Sequence, residues 1–128
     1  MIGTLFLLDA YDCQNMPKDL QELTAWALEA IESSGMKVMD MTAMGFPKST
    51  WGKNHGDSVV TLIVPLTESH MACHTWPARR FVAVDLFTCG EFEPAYDAMR
   101  AMEKKLRPKR GGIQCHYRGA YLDRGGEA

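Results

Sequence analysis

The sequence predicts an α+β two-layer sandwich, in which a mostly antiparallel sheet carries its helices on one face. Two segments have the periodicity of amphipathic helices, and five or six short segments have the character of strands. Several of these strands follow one another with no helix between them. Adjacent strands of that kind favour antiparallel pairing through short turns, which leaves the helices to cover a single face.

The first half of the chain contains two predicted strands, one helix and one long loop. Residues 3–10 are a short apolar segment typical of a buried strand, and 37–44 alternate apolar with polar residues. Between them, 18–33 has one apolar stripe at helical spacing. Residues 45–57 are rich in glycine and polar side chains, and a loop of that length is often functional.

The strongest strand signal in the chain is 58–66, and a further strand is predicted over 80–88. Pro65 is expected at the end or on an edge of its strand, because proline cannot donate a hydrogen bond to a neighbouring strand.

The last two elements are a second helix and a final strand. Over 92–106 the apolar residues recur every three or four positions, which predicts an amphipathic helix. Gly111-Gly112 is expected to break the chain before a last strand over 113–118.

Composition favours one soluble domain spanning 1–128. The 14 Lys and Arg against 16 Asp and Glu give a net charge of −2, which argues against a nucleic-acid partner. No apolar segment approaches the roughly 20 residues of a membrane helix, and the start lacks the basic segment of a secretory signal. The four cysteines are therefore expected to be reduced thiols in the cytoplasm.

The segment after the strongest strand is the densest in reactive side chains. Glu68, Ser69, His70, Cys73 and His74 lie within seven residues. The two histidines are four apart, but the strand-like flanks and the lack of a third ligand argue against a metal site. Ser69 and His74 suit a hydrolase pair, although Gly-x-Ser-x-Gly is absent. From these residues alone, the prediction is a site that uses serine, histidine and cysteine.

Structural roles compete for three residues near this segment. Cys89 alone is typical of a small buried apolar residue, and Trp76 and Phe87 are expected in the core rather than as stacking surfaces.

Three blocks, in order, resemble the signature of the prokaryotic S-adenosylmethionine decarboxylases. They are Glu68-Ser69-His70, His74-Thr75-Trp76-Pro77 and Val84-Asp85-Leu86-Phe87-Thr88-Cys89-Gly90. A weaker resemblance extends from Tyr11-Asp12-Cys13 to Arg118-Gly119, so that it covers most of the chain.

This resemblance implies a proenzyme that cuts itself into 1–68 and 69–128. Ser69 would attack the carbonyl of Glu68 and convert the peptide bond into an ester. His74 would then remove the α-proton of Ser69, and elimination would leave a covalent pyruvoyl cofactor in place of the serine.

The same resemblance assigns further roles. Thr61, with Ser58 as the alternative, would assist the acyl shift through its hydroxyl. Cys89 would return a proton to the substrate after CO₂ has left. A pyruvoyl carbonyl is suited to this chemistry because it forms a Schiff base with a substrate amine and accepts the electron pair. A homodimer, a small amino-acid-type substrate and no metal are also implied, in a cytoplasmic enzyme of polyamine synthesis.

The substrate is open, because the chain departs from the family pattern after Pro77. Ala78 stands where the family usually has a glutamate that binds the ribose, and Arg80 stands at a usual glycine. S-adenosylmethionine and the basic amino acids arginine and ornithine are therefore both candidates. Phe46 or Trp51 is expected to stack on the substrate, together with Trp76.

Two alternatives belong to other classes. One is a family member that no longer cleaves itself and acts as a regulator. The other is an unrelated thiol or serine hydrolase, in which Ser69 stays intact.

Overall fold

Strands dominate the computed structural model of the protein, which describes residues 2–46 and 59–122, with Phe46 through its backbone alone. The strands of this part are β1 (Gly3–Tyr11), β2 (Thr42–Phe46), β3 (Val59–Leu66), β4 (Ser69–Trp76), β5 (Phe81–Thr88) and β6 (Arg110–Arg118). They form one sheet in the order β2-β3-β4-β5-β1-β6, and every pair of neighbours is antiparallel.

Two helices, α1 (Leu20–Ser33) and α2 (Phe92–Leu106), pack on one face of this sheet. The core lies between the two layers, since every second side chain of a strand points to the same face. Its largest fully buried side chains include Phe6, Leu8, Leu23, Ile31, Leu62, Met71, Leu86 and Met99. This architecture confirms the predicted α+β class with helices on one side. None of the described helices is long and apolar enough to cross a membrane.

Helix α1 starts two residues later than the periodicity predicts. Its N-cap is Asp19, whose carboxylate accepts the backbone N–H of Glu22 at 2.9 Å. The Glu22 side chain accepts the N–H of Lys18 in return at 3.0 Å. The bond from the Glu22 N–H satisfies a donor that a helix start leaves open, and the bond from Lys18 fixes the residue before the cap, so the helix begins at Leu20.

The prediction of a strand over 37–44 is wrong in its position. Only Val38 forms an isolated bridge, to Leu66, and β2 begins at Thr42. Before Thr42 the backbone makes single contacts around the end of β3, such as the bond from Met39 N–H to the Pro65 carbonyl at 2.9 Å. Alternation alone could not separate these contacts from a continuous ladder.

Gly111 lies inside β6 and does not break the chain before it. Its φ is +97°, and a Cβ there would overlap the carbonyl oxygen of Asp9 on β1. Glycine is therefore needed because the backbones of β1 and β6 approach each other closely. Sequence reasoning interpreted this close approach as a chain break.

The sheet face opposite the helices bears a set of apolar side chains that no described element covers. We call it the open face, and its apolar members include Leu5, Leu7, Ile63, Ala72 and Phe87. Ile63 keeps 42% of its surface exposed, while the other four are half-buried. Contiguous exposed apolar surface of this kind is typical of an interaction site.

Candidate functional site

The bond predicted to break lies in the tight turn between β3 and β4. The ladder continues to the pair Leu66 and Ser69, so Thr67 and Glu68 form a two-residue hairpin turn. Glu68 adopts a φ of +64°. This left-handed conformation costs a residue with a side chain about 1–2 kcal/mol. The residue before Ser69 is therefore held in a strained conformation.

A backbone N–H already contacts the carbonyl that Ser69 would attack. Cys89 follows the last residue of β5, and β5 ends beside the start of β4 because Thr88 pairs with Ser69. From there the N–H of Cys89 donates to the carbonyl oxygen of Glu68 at 2.8 Å. A donor in this place polarises the carbonyl and is suited to stabilise negative charge that develops on its oxygen.

Glu68, Ser69 and Cys89 form what we call the cleavage cluster. The Ser69 side chain is half-buried, and its Oγ donates to the carbonyl of Thr67 at 3.4 Å. Cys89 is a free, exposed thiol. The described geometry therefore brings together three of the five predicted catalytic residues.

The other two, Thr61 and His74, form a second group that we call the histidine pair. They are cross-strand partners on β3 and β4, and Thr61 Oγ1 lies 3.2 Å from His74 Nδ1. Both side chains are half-buried on the open face. In the tautomer whose Nδ1–H donates to Thr61, the Nε2 atom is left with a free lone pair and can act as a base.

The histidine pair does not meet the cleavage cluster within one chain. Ser69 and His74 are both on β4 and are five residues apart. At about 3.3 Å per residue, their Cα atoms are separated by about 16 Å. His74 of the same chain is therefore out of reach of the Ser69 α-proton, and Thr61 contacts His74 instead of the turn. The sequence suggested one compact site because the two residues are close in number.

His70 and His74 do not share a metal ion within the chain. The strand places them four residues apart on an extended backbone, which corresponds to about 13 Å. A zinc site needs ligand atoms about 2 Å from the ion, so these two histidines are too far apart. The described residues contain no group of three side chains suited to a metal.

Trp76 lies at the far end of β4 in a row of aromatic rings on the open face. Its ring centroid is 5.4 Å from Phe81 and 6.3 Å from His74, and Phe81 lies 4.9 Å from Tyr11. Trp76 is half-buried and lies outside the main core, as does Phe87. The expectation of core positions for these two residues is therefore wrong.

The remaining predicted substrate residues are placed only in part. Phe46 ends β2 opposite Val59, and its side chain is outside the described residues. Trp51 and Ser58 also lie outside them. Ala78 is exposed in a short 3₁₀ turn, Pro77–Arg79, directly after Trp76.

Arg80 has a left-handed backbone conformation, with a φ of +51°, which glycine adopts without strain. Its Nε donates to the carbonyl of Cys13 at 2.7 Å, and Cys13 N–H donates back to the Arg80 carbonyl at 2.9 Å. These bonds join the start of β5 to the segment after β1. Arg80 thus has a structural role in addition to any contact with substrate.

Two of the four cysteines are buried and differ chemically from Cys89. The pKa of Cys73 is raised to about 12, mainly by burial and to a smaller extent by the nearby Asp85 carboxylate. Burial also raises the pKa of Cys13, against an opposing effect of Arg80. Above pH 9 only the unfolded chain releases the Cys73 proton, so its contribution to native stability is lost as the pH rises from 9 toward 12.

We predict that a chromogenic disulfide reagent at pH 8 titrates two thiols in the native protein and four after denaturation. Cys89 and Cys115 are exposed, whereas Cys13 and Cys73 are buried and remain protonated. The Cys115→Ser variant should leave one reactive native thiol. Rapid reaction of a third thiol in the native protein would contradict this burial.

Thr88 and Gly90 belong to the third signature block but received no predicted role, and they shape the turn around Cys89. Thr88 is 4% exposed, and its Oγ1 accepts the Gly90 N–H at 2.9 Å. A Cβ on Gly90 would lie 3.2 Å from the Glu68 carboxylate. The available signal was a hydroxyl residue two positions before a glycine at a strand end, which is typical of a side-chain-closed turn.

Comparison with known proteins decides the family. The model of the S-adenosylmethionine decarboxylase family matches residues 4–119, which is most of the chain. The chain belongs to the S-adenosylmethionine decarboxylase family. It is therefore a carboxy-lyase, as predicted.

Individual relatives agree with this family but differ in their named substrates. An S-adenosylmethionine decarboxylase proenzyme of Aeropyrum pernix is 35% identical over 102 residues, covering 78% of this chain and 71% of that protein. An arginine decarboxylase proenzyme of Pyrobaculum arsenaticum is 33% identical over 108 residues, covering 84% and 74%. The crystal structure of the adenosylmethionine decarboxylase from Aquifex aeolicus superposes with a TM-score of 0.78 at 27% identity, covering 92% and 91%.

Proposed function

We propose that the protein is a proenzyme that cleaves itself between Glu68 and Ser69 and then decarboxylates S-adenosylmethionine through a pyruvoyl group derived from Ser69. The product would be the aminopropyl donor for spermidine synthesis. The observation that carries the proposal is the cleavage cluster. It combines a strained residue, a nucleophilic hydroxyl and a hydrogen-bonded carbonyl at the bond between residues 68 and 69.

Cleavage begins as an N-to-O acyl shift. Ser69 Oγ attacks the Glu68 carbonyl carbon, and its proton passes to the departing amide nitrogen. The N–H of Cys89 stabilises the oxygen of the tetrahedral intermediate, to which it already donates. Breaking the C–N bond leaves an ester and removes the constraint on the left-handed Glu68.

Elimination then releases the first chain. A base takes the α-proton of Ser69, the Cα–Cβ double bond forms, and the Cβ–O bond breaks to free the Glu68 carboxylate. Water replaces the nitrogen of the resulting dehydroalanine and releases ammonia. The bond between residues 68 and 69 thereby yields a chain of 1–68 and a pyruvoyl-capped chain of 69–128.

The residues present fit a pyruvoyl group at the start of β4. The Ser69 position is at an exposed turn, and the exposed Cys89 thiol follows the residue paired with Ser69. When formed, the group supplies an electron sink for the pair left on the substrate carbon as CO₂ departs. Cys89 then delivers the proton that completes the product.

Separation of the histidine pair from the cleavage cluster supports a homodimer. A base at His74 must come within hydrogen-bond reach of the α-proton at Ser69, yet about 16 Å of strand lies between them. A second copy that covers the open face and reaches over the β3–β4 turn would bring His74 of the partner subunit to Ser69, whose side chain starts on the other face of β4. In a two-fold dimer the reciprocal contact follows, so two complete sites would form.

Both halves of such a dimer would also bury the open face. Ile63 and Met44 are 42% and 51% exposed in the protomer, and a two-fold pairing would remove both from water. Light scattering should give twice the protomer mass of 14.3 kDa. A mass of one protomer at micromolar concentration would contradict the shared site.

Arginine is the second candidate substrate, favoured by Ala78 in place of a ribose-binding carboxylate and by the arginine decarboxylase relative. The open face carries two acids among the described strands, Asp9 and Asp85. Asp85 lies opposite Ala72, on the same face of the sheet as His74, and makes no hydrogen bond or ion pair within the described residues. Its carboxylate suits the sulfonium of S-adenosylmethionine as well as a guanidinium, so it favours a cationic substrate without selecting between them.

The experiment is to confirm cleavage by intact mass and then to measure CO₂ release from S-adenosylmethionine, arginine and ornithine separately. Release from S-adenosylmethionine alone is expected. Release only from arginine or ornithine would overturn the substrate while leaving the chemistry. An aged, folded chain that remains whole and carries no carbonyl would overturn the proposed function.

A further inference from the structure

Thr88 is a buried hydroxyl at the edge of the cleavage cluster that the chemistry above does not use. It is the last residue of β5, is 4% exposed and pairs with Ser69 on one side and Thr4 on the other. Its Oγ1 accepts the N–H of Gly90 at 2.9 Å. This bond closes the chain into a tight turn directly after the strand.

The residue enclosed by that turn is Cys89. Its N–H donates to the Glu68 carbonyl at 2.8 Å, and this bond depends on the direction in which the backbone leaves β5. On the other side, Gly90 packs so closely that a Cβ would stand 3.2 Å from Glu68 Oε2. Cys89 is therefore held between a hydroxyl of its own turn and the residue whose carbonyl is attacked.

Packing alone does not require a hydroxyl at this position. Valine has the same shape and would fill a buried site without desolvating an oxygen. Thr4 and Thr75 are buried to a similar degree, at 4% and 3% exposure, and their hydroxyls make no hydrogen bond within the described residues. Thr88 differs from them in that its oxygen holds a backbone N–H of the turn around Cys89.

We propose that Thr88 is a positioning residue for self-cleavage. Its hydroxyl fixes the turn from Thr88 to Gly90 so that the Cys89 N–H stays on the Glu68 oxygen while that oxygen gains negative charge. A mobile donor must be ordered before it can stabilise the oxygen, and the free energy of that ordering adds to the activation barrier. This inference rests on the proposed function and adds a residue to its first step.

The test compares Thr88→Val, Thr88→Ser and Thr75→Val with the wild-type chain. The rate of cleavage is followed after refolding by the appearance of the two chains on a denaturing gel. Thr88→Val is expected to slow cleavage by about tenfold, a fraction of the loss on removing an oxyanion donor outright. Thr88→Ser restores the hydroxyl and should cleave within about threefold of the wild-type rate. Thr75→Val should cleave at the wild-type rate.

A second measurement follows the turn itself. In the uncleavable Ser69→Ala background, the Gly90 and Cys89 amides should exchange hydrogen faster when Thr88 is valine, while core amides keep their protection. If Thr88→Val does not fold, Thr88→Ala takes its place, since it also lacks the hydroxyl and needs no extra room.

The outcomes separate this inference from the proposed function. Wild-type cleavage rates in the variant without the hydroxyl would overturn the positioning role alone. So would a Thr88→Ser variant as slow as Thr88→Val, or a Thr75→Val variant slowed equally. A wild-type chain that never cleaves would overturn the proposed function, and the role of Thr88 with it.

Discussion

The Ser69→Ala variant will remain a single chain of 14.3 kDa, whereas the wild-type chain will divide into two. Without Oγ there is no nucleophile to accept the acyl group, and an ordinary peptide bond does not break during such an incubation. Decarboxylation should fall to background, because no pyruvoyl group can form. Intact mass spectrometry and trapping of the ketone with a hydrazine measure the two losses separately.

Thr67→Ala is the matched control for this variant. Thr67 precedes Glu68 in the same turn, and its exposed hydroxyl makes one hydrogen bond within the described residues, to Met39 Sδ at 3.3 Å. The Thr67→Ala chain should therefore cleave as the wild-type chain does. If Ser69→Ala also divided at this bond, Ser69 would not be the nucleophile.

Mixing a Ser69→Ala chain with a His74→Ala chain will restore cleavage and activity that neither variant has alone. Each variant supplies the half that the other lacks, because Ser69 and His74 of one chain are about 16 Å apart. Random pairing at equal amounts makes half of the dimers mixed. Each mixed dimer has one complete site, so about a quarter of the wild-type number of sites is expected.

The His74→Ala chain alone has a diagnostic state. It lacks the base for elimination but retains Ser69, so it should stop at the ester after the acyl shift. Hydroxylamine, which cleaves esters and spares peptide bonds, should then divide it between Glu68 and Ser69. His74→Ala chains that cleave normally would remove His74 from the reaction, and a mixture that stays inactive would contradict a shared site.

Local patterns predicted the elements that do not depend on distant contacts. The helix over 92–106 has the predicted bounds because its apolar stripe has a clear period and its last turn carries cations at the negative end of the helix dipole. The strand predicted over 80–88 was found one residue shorter, as β5. Pro65 lies one residue from the end of β3, as expected of a residue with no N–H.

Patterns failed where another strand determined the conformation. Gly111 lies inside β6, where β1 approaches too closely for a side chain. The sequence of β6 alone does not indicate which strand lies beside it. The segment before Thr42 alternates like a strand but finds only an isolated partner. Both errors concern which backbones meet, and this depends on contacts distant in sequence.

The reactive side chains and the order of their blocks are covalent properties of the chain, so the sequence was enough to predict the chemistry and the family. Which of these side chains contact one another depends on how the strands pair in the folded chain. The hairpin brings Thr61 to His74 across thirteen residues, while the extended β4 separates His74 from Ser69 across five. The physical reason is that a strand advances about 3.3 Å with each residue and an antiparallel partner reverses that advance, so distance in sequence and distance in space need not agree.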